Sequence, residues 1–293
     1  GAAEAVGRRK GCLERVDGRS PGESGVGQEW EIRAEEIDRV AQVARSLGRR
    51  ARVGLRINPE IDEVATLAHV ATGHDEAKFG VARADVALAI ERIRSRPELD
   101  LGGLTVHVGS QLTATDDYRA GARVLFSIAA GLPERASLRF LDTGGGFGID
   151  YGAGCPVTPA DFVRVAREEQ ATAGLEGVPL FVEPGRRLVA SHGVLLTRVI
   201  QTKAAKPLPW TFVDAGMNDL VRPALYQARH RIVPATPTSG PMRETRVAGP
   251  VCESADDFGV HELPVDASLV ALLDAGAYGF TMASQYNARA LPA

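Results

Sequence analysis

From about residue 35 the chain alternates short apolar runs with amphipathic stretches. Ala34–Leu47 sets Ile37, Val40, Ala41, Val43 and Ala44 on one side of a 3.6-residue repeat, which predicts a helix. Arg52–Ile57 reads as a strand closed by Asn58–Pro59, because proline removes a ladder donor and restricts the residue before it. Ala84–Arg96 repeats Val86, Ile90 and Ile93 at helical spacing and is stopped by Pro97. The series continues with a strand at Gly103–Val108, a helix at Asp116–Leu132 and a strand at Leu138–Asp142. A helix at Pro159–Ala173 and a strand at Pro179–Glu183 complete it. Apolar strands separated by helices imply a parallel sheet covered by those helices, either a barrel or a doubly wound sheet.

After about residue 192 the rhythm changes. Val194–Gln201, Thr211–Ala215, Arg243–Val251 and Leu269–Ala275 read as strands without long helices between them, punctuated by Pro and Gly. Residues 1–28 fit neither pattern: they are rich in Gly, Arg, Ser and Glu, and are expected to be disordered or foreign to the fold. The expected organisation is an atypical segment over 1–28, an α/β barrel segment over 29–192 and a mainly β domain over 193–293.

Composition narrows the function classes. With 44% hydrophobic and 24% charged residues in 293, a large core is expected. A net charge of -3 argues against nucleic acid or an anionic membrane as partner. No apolar run approaches the roughly 20 residues of a membrane span, and residues 1–12 lack a signal-peptide core. Cys12, Cys155 and Cys252 form no CxxC pair, so a reducing, cytoplasmic setting is expected. The six histidines show neither HxH nor HExxH spacing, and no metal site is expected. Lys10, Lys78, Lys203 and Lys206 are the only lysines among 34 basic residues, so lysine chemistry has four candidates.

Polar clusters fall where the parallel strands finish. His107-Val-Gly-Ser-Gln111, Asp142-Thr-Gly-Gly-Gly-Phe-Gly148 and Glu183-Pro-Gly-Arg186 follow three consecutive strands, and α/β barrels assemble their sites at that rim. The Gly144, Gly145 and Gly146 run is either a tight β–α turn or an anion nest for a phosphate, to which Ser110 can add a hydroxyl. His107 either stacks on a flat ring or satisfies a core hydrogen bond. Glu183 and Arg186 are either a structural ion pair or, respectively, a partner for a ring nitrogen and a grip for an anion. Nest, imidazole and carboxylate together suggest pyridoxal 5'-phosphate, whose ring nitrogen a carboxylate keeps protonated.

In order and spacing these motifs resemble the diaminopimelate decarboxylase family, pyridoxal-phosphate enzymes of the alanine-racemase-like fold. The resemblance runs from about Arg52 to Arg289. It is carried by Arg56-Ile-Asn-Pro59, Thr72-Gly73 with Lys78-Phe-Gly80, the three clusters above, and Asp214-Ala-Gly-Met-Asn218. Arg222-Pro-Ala-Leu-Tyr226, Cys252-Glu-Ser254 and Ala277-Tyr-Gly279 continue the series. It implies a partial (β/α)8 TIM-type barrel followed by a mainly β C-terminal domain, and decarboxylation of meso-2,6-diaminopimelate to L-lysine. His107 would stack on the cofactor ring, Ser110 with Gly144, Gly145 and Gly146 would hold its phosphate, and Glu183 would face its nitrogen. Gly185, Arg186 and Tyr278 would border the cofactor. Arg186, Arg222, Tyr226 and Tyr278 would bind the amino-acid substrate, with Glu253 on its distal amino group. Cys252 would donate a proton, reaching the site from the second subunit of a homodimer.

The resemblance also exposes departures. Family members anchor the cofactor through a lysine in a Tyr-Ala-x-Lys-type segment on the first barrel strand, and none of the four lysines matches it. Four parallel strands are readable where closure takes eight. The expectation is that early family strands, and a C-terminal helix beyond Tyr286-Asn287, lie outside this sequence, with 1–28 standing in their place as a wrong start or frameshift would produce. A homologue without the anchoring lysine that does not catalyse the reaction, and a decarboxylase acting on arginine or carboxynorspermidine, are the alternatives.

Overall fold

A computed structural model describes residues 34–61, 79–133 and 135–292, together with strands at Glu14–Arg15 and Glu29–Ile32. Lys10, Cys12, Thr72–Gly73 and Lys78 lie outside the described residues, as does most of the 1–28 segment. The described residues fall into two compact units, one within 1–147 and 157–184, the other within 148–156 and 185–293.

The first unit is a six-stranded sheet in sequence order: β1 (Glu14–Arg15), β2 (Glu29–Ile32), β3 (Ala51–Ile57), β4 (Leu99–Val106), β5 (Phe140–Gly145) and β6 (Leu180–Glu183). Strands β2 to β6 run parallel, and β1 is antiparallel to β2. The four expected strands are all present, with β2 added at their side. Helices α1 (Ile37–Ser46), α2 (Val86–Arg94), α3 (Asp116–Ala130) and α4 (Pro159–Thr172) alternate with the strands. Their apolar stripes supply the core: Ile37, Val40 and Ala41 from α1, Ala89, Ile90 and Ile93 from α2, and Ala122, Leu125 and Phe126 from α3 pack with Val53, Leu55, Leu104 and Leu141 of the strands. Burying such side chains contributes about 1.5–3 kcal/mol each. Helix α4 starts where Pro159 predicts, because the Thr158 hydroxyl and the Asp161 carboxylate each cap the other's backbone N–H. The parallel register places the ends of β4, β5 and β6 side by side, which brings His107, the Gly144–Gly146 run and Glu183 together.

The second unit carries a mixed sheet with the order β11-β10-β8-β7-β12-β9. Its strands are β7 (Leu195–Lys203), β8 (Trp210–Val213), β9 (Ile232–Pro234), β10 (Met242–Ala248), β11 (Asp257–Pro264) and β12 (Leu269–Leu272). Only β8 and β10 pair in parallel. Two short helices, α5 (Gly185–Val189) and α6 (Arg222–Tyr226), carry polar residues of interest. The core gathers Val213, Leu220, Val247, Leu263, Val270 and Leu272. Strands β9 and β11 had no expected counterpart. Both are edge strands, and the alternation of β11 is broken by Gly259 at φ +90° and by polar residues on its open side.

Candidate active site

In the first unit the glycine run is not simply a turn after the strand: Gly144 and Gly145 are the last residues of β5. Gly144 and Gly146 hold φ of +71° and +85°, a region that L side chains avoid. A Cβ at Gly145 would stand 1.9 Å from the carbonyl oxygen of Glu183, and one at Gly146 would stand 2.0 Å from that of Gly109. The run therefore lets three strand ends approach more closely than any side chain permits. Two of its amides are engaged within the protein. Gly144 N–H donates to Asp142 Oδ1 at 2.8 Å, and Gly145 N–H donates to His107 Nδ1 at 3.2 Å.

That second bond orients the His107 ring. Nδ1 has one lone pair, and accepting the amide places the proton of the neutral ring on Nε2. The same nitrogen lies 3.6 Å from Glu183 Oε2, too long for a good hydrogen bond. The imidazole, helped by the charge of Arg56, holds the Glu183 carboxyl below its ordinary range against the opposing cost of desolvation. Half of the Glu183 side chain remains accessible, so it can still meet a ligand. Ser110 lies half-buried on the loop that follows His107. An imidazole, a carboxylate and a glycine cradle that a Cβ would fill thus converge from adjacent strand ends. They fit a flat heteroaromatic ring bearing an anionic group.

The second unit holds a cationic cluster. Arg186 on α5 is buried and donates through Nη1 to the Tyr151 hydroxyl at 2.8 Å, while its Cζ lies 5.0 Å from the Tyr278 ring centroid. Arg222 opens α6, is equally buried, and places its Cζ 4.7 Å from the Tyr151 ring. Its Nη1 donates to His230 Nε2 at 2.6 Å. Burial, and less strongly the Arg186 charge, pull the Arg222 pKa below its ordinary value. A buried guanidinium facing a phenol ring and an imidazole is a site for an incoming anion. Tyr226, at the end of α6, is half-buried, and Tyr278 is exposed in the left-handed region at φ 59°. That conformation is costly for an aromatic residue and is found where the surroundings impose it. At Gly185 a Cβ would meet nothing within 4 Å, so the backbone there is open to a ligand.

Cys252 and Glu253 lie exposed on the loop between β10 and β11. Glu253 Oε1 accepts from the Tyr286 hydroxyl at 2.5 Å. Buried Asp256 organises this loop: Oδ2 accepts Val251 N–H and Oδ1 accepts Met217 N–H, both at 2.6 Å. Neither Cys155 nor Cys252 is in a disulfide. Lys203 ends β7 and Lys206 follows shortly after, both exposed in the second unit. Tyr151, His230 and Asp256 were not apparent from sequence, since each acquires meaning only through its partner. Among the described residues there is no His, Cys, Asp or Glu group able to hold a metal ion, and no helix long and apolar enough to cross a membrane.

The strand-end residues fit pyridoxal phosphate, and comparison with known proteins points to the same cofactor. Residues 23–190, more than half of the chain, match the family described as "Pyridoxal-dependent decarboxylase, pyridoxal binding domain", and the chain belongs to that family. Over 276 residues it is 40% identical to the diaminopimelate decarboxylase of Zymomonas mobilis, covering 92% of this chain and 65% of that protein. It is 38% identical to the Vibrio cholerae diaminopimelate decarboxylase over 258 residues, covering 87% and 61%. The structure superimposes on diaminopimelate decarboxylase from Helicobacter pylori complexed with L-lysine with a TM-score of 0.80 at 35% identity, covering 88% of this chain and 64% of that one. The M. jannaschii enzyme in co-complex with L-lysine gives 0.81 at 32% identity, covering 89% and 63%. The expected family and α/β fold class are thereby met, and the chain spans less than two thirds of the length of these relatives.

Proposed function

We propose that the protein to which these residues belong decarboxylates meso-2,6-diaminopimelate to L-lysine with pyridoxal 5'-phosphate. The observation that carries the reading is the pair of buried guanidiniums, Arg186 and Arg222, on one tyrosine, Tyr151. A small amino acid with carboxylates at both ends suits such a cationic cluster. The relatives named above support the particular substrate.

When bound, pyridoxal phosphate supplies a protonated ring that takes up the electrons left behind by a departing carboxylate. Glu183 keeps a proton on the ring nitrogen, and its lowered pKa suits a carboxylate that must stay charged. His107, oriented by Gly145, would hold the ring by stacking. Ser110 and the Gly144–Gly146 turn cradle the phosphate. With the Gly144 and Gly145 amides engaged, Ser110 and Gly146 are the candidate donors. Gly185 gives clearance beside the cofactor. Arg186, Arg222, Tyr226 and Tyr278 grip and orient substrate carboxylates, Glu253 receives the distal ammonium, and Cys252 delivers the proton that replaces carbon dioxide. Cys252 and Glu253 serve the second copy of a homodimer, a reading supported by their exposure within one chain. The 29–192 and 193–293 division is proposed as the cofactor-binding and substrate-binding halves. A reducing cytoplasm is the proposed location, in keeping with Cys155 and Cys252 not being joined in a disulfide.

A second reading applies to this chain by itself: it holds the cofactor without turning substrate over. The exposure of Lys203 and Lys206 in the second unit favours it, since an anchoring lysine needs a sheltered place. The test is release of carbon dioxide and L-lysine from meso-diaminopimelate by the full-length protein, with arginine and carboxynorspermidine as competitors. Preferential turnover of either competitor removes the proposed substrate. Borohydride reduction of this chain with pyridoxal phosphate, followed by peptide mapping, decides the second reading: a reduced adduct on one defined lysine together with turnover removes it.

A further inference from the structure

His230 carries no role in the reading above, yet it is 2% exposed and both of its ring nitrogens are engaged. Nδ1 lies 2.8 Å from the carbonyl oxygen of Leu273, which can only accept, so Nδ1 carries a proton and donates. Nε2 lies 2.6 Å from Arg222 Nη1, which can only donate, so Nε2 presents its lone pair. The two partners thus dictate one neutral tautomer, and the guanidinium is tied to the backbone of the loop after β12 through a rigid ring. Tyr151 closes the arrangement from the side, edge-on to His230 with ring centroids 5.3 Å apart. Tyr151 is itself fixed by a tight turn, in which Asp150 Oδ1 accepts from Gly152 N–H at 2.6 Å and Gly154 N–H at 2.9 Å.

Neutrality is required here. An imidazolium would set a second buried cation against Arg222, with Arg186 also near. Burial disfavours the charged ring, with those two arginines adding to the effect and Asp274 opposing it. A carboxylate partner would have neutralised the guanidinium. An imidazole orients it and leaves its charge intact for a ligand.

We infer that His230, as its Nδ1–H tautomer, is a positioning residue that locks the Arg222 guanidinium in the orientation that receives a ligand carboxylate. The ligand in this inference rests on the proposed substrate, whereas the lock itself does not. The arrangement explains how a long, flexible side chain can discriminate: the entropy of ordering Arg222 is met during folding and not at binding.

The test uses the full chain with nitrogen-edited NMR at neutral pH and calorimetric titration with L-lysine. The His230 ring should show a protonated Nδ1 and an unprotonated Nε2, and Arg222 should give separately resolved Nη–H signals that mark a rotationally fixed guanidinium. In His230→Ala those signals should merge, and L-lysine should bind about 10–100-fold more weakly, the value of one charge-assisted hydrogen bond. His230→Gln, whose amide offers both an acceptor and a donor, should recover most of that loss. An Nε2–H tautomer, an imidazolium, or Arg222 signals unchanged in His230→Ala would overturn the lock. If the wild-type chain does not bind L-lysine while the spectra come out as expected, the carboxylate-receiving role of Arg222 falls and the lock stands, and the substrate reading is still judged by turnover of the full-length protein. The tautomer is read on the unsubstituted protein, so a His230→Ala chain that fails to fold leaves the inference exposed to disproof.

Discussion

Gly145 and His107 are joined by a hydrogen bond that makes a strand-end glycine the keeper of an imidazole: the Gly145 amide donates to Nδ1 at 3.2 Å. The glycine is needed for a second reason, because its missing Cβ is what allows β5 to lie against the Glu183 carbonyl of β6. One residue therefore sets the spacing of two strands and the attitude of a ring on a third. Residues separated by 38 positions in sequence share this corner through parallel pairing alone.

Gly145→Ala should be costly. The new methyl would sit 1.9 Å from a backbone oxygen, which cannot rotate away, so β5 and β6 must part. Overpacking of this kind costs about 1–3 kcal/mol. Gly185→Ala is the matching control: its Cβ meets nothing within 4 Å, and stability should change by less than about 0.5 kcal/mol. Urea unfolding of both variants checks the contrast. Equal midpoints would show that strand spacing does not depend on Gly145.

Stability should fall as the medium is acidified from near neutrality. Burial brings the His230 pKa down to about 4, from an ordinary value of 6.5. Between those values the unfolded chain takes up a proton that the folded chain refuses, so folding stability rises with pH across the window and the slope vanishes below it. The groups facing the ring are Arg222, Arg186, Asp274 and the Leu273 carbonyl. The full effect is on the order of 3 kcal/mol. Urea midpoints measured through this range should show the slope in the wild type and a shallower one in His230→Gln. Parallel slopes would assign the acid sensitivity to other groups.

How much of this was legible in sequence depends on the range of the interaction. Helical faces such as Ile37, Val40, Ala41 and Ala44 were readable because one element's period reports one element's burial. The ends of β4, β5 and β6 were readable because polar residues interrupt apolar strands there. The glycine run suggested a phosphate nest, but it could not reveal that Gly144 and Gly145 finish the strand and engage their amides internally, since Asp142 and His107 become acceptors only after the strands pair. His230 was invisible for the same reason. A lone histidine eight residues beyond Arg222 has no period or motif, and its meaning comes from a carbonyl at position 273.

The two described cysteines should differ in reactivity. Cys252 is exposed and Cys155 is half-buried, and neither is in a disulfide. A brief pulse of iodoacetamide followed by peptide mapping should modify Cys252 first. In the full-length protein, Cys252→Ala should lower kcat by about 100-fold or more, the usual weight of a positioned proton donor, with KM less affected. Undiminished turnover would remove Cys252 from the reaction.

Asp256 offers the sharpest check on the loop that carries Cys252 and Glu253. Its carboxylate is 3% exposed and accepts the amides of Met217 and Val251, each at 2.6 Å, so it ties the 214–218 motif to the 252–254 motif. Glycine is needed beside the carboxylate at position 249, where a Cβ would stand 2.4 Å from Oδ2, and a Cβ at Gly216 would be tight against the same oxygen at 3.2 Å. Asp256→Asn keeps the shape but turns one acceptor into a donor that faces an N–H. A buried donor left without a partner costs about 1–3 kcal/mol, partly offset because burial already raises the Asp256 pKa and the amide carries no charge to desolvate. Asp256→Ala leaves both amides without an acceptor and should be worse. Because the damage is local, the Asn variant should also change the rate at which Cys252 is alkylated, while Cys155 reacts at the wild-type rate. An Asn variant that unfolds at the wild-type urea concentration and leaves both alkylation rates unchanged would show that the loop is held by its own turns and not by Asp256.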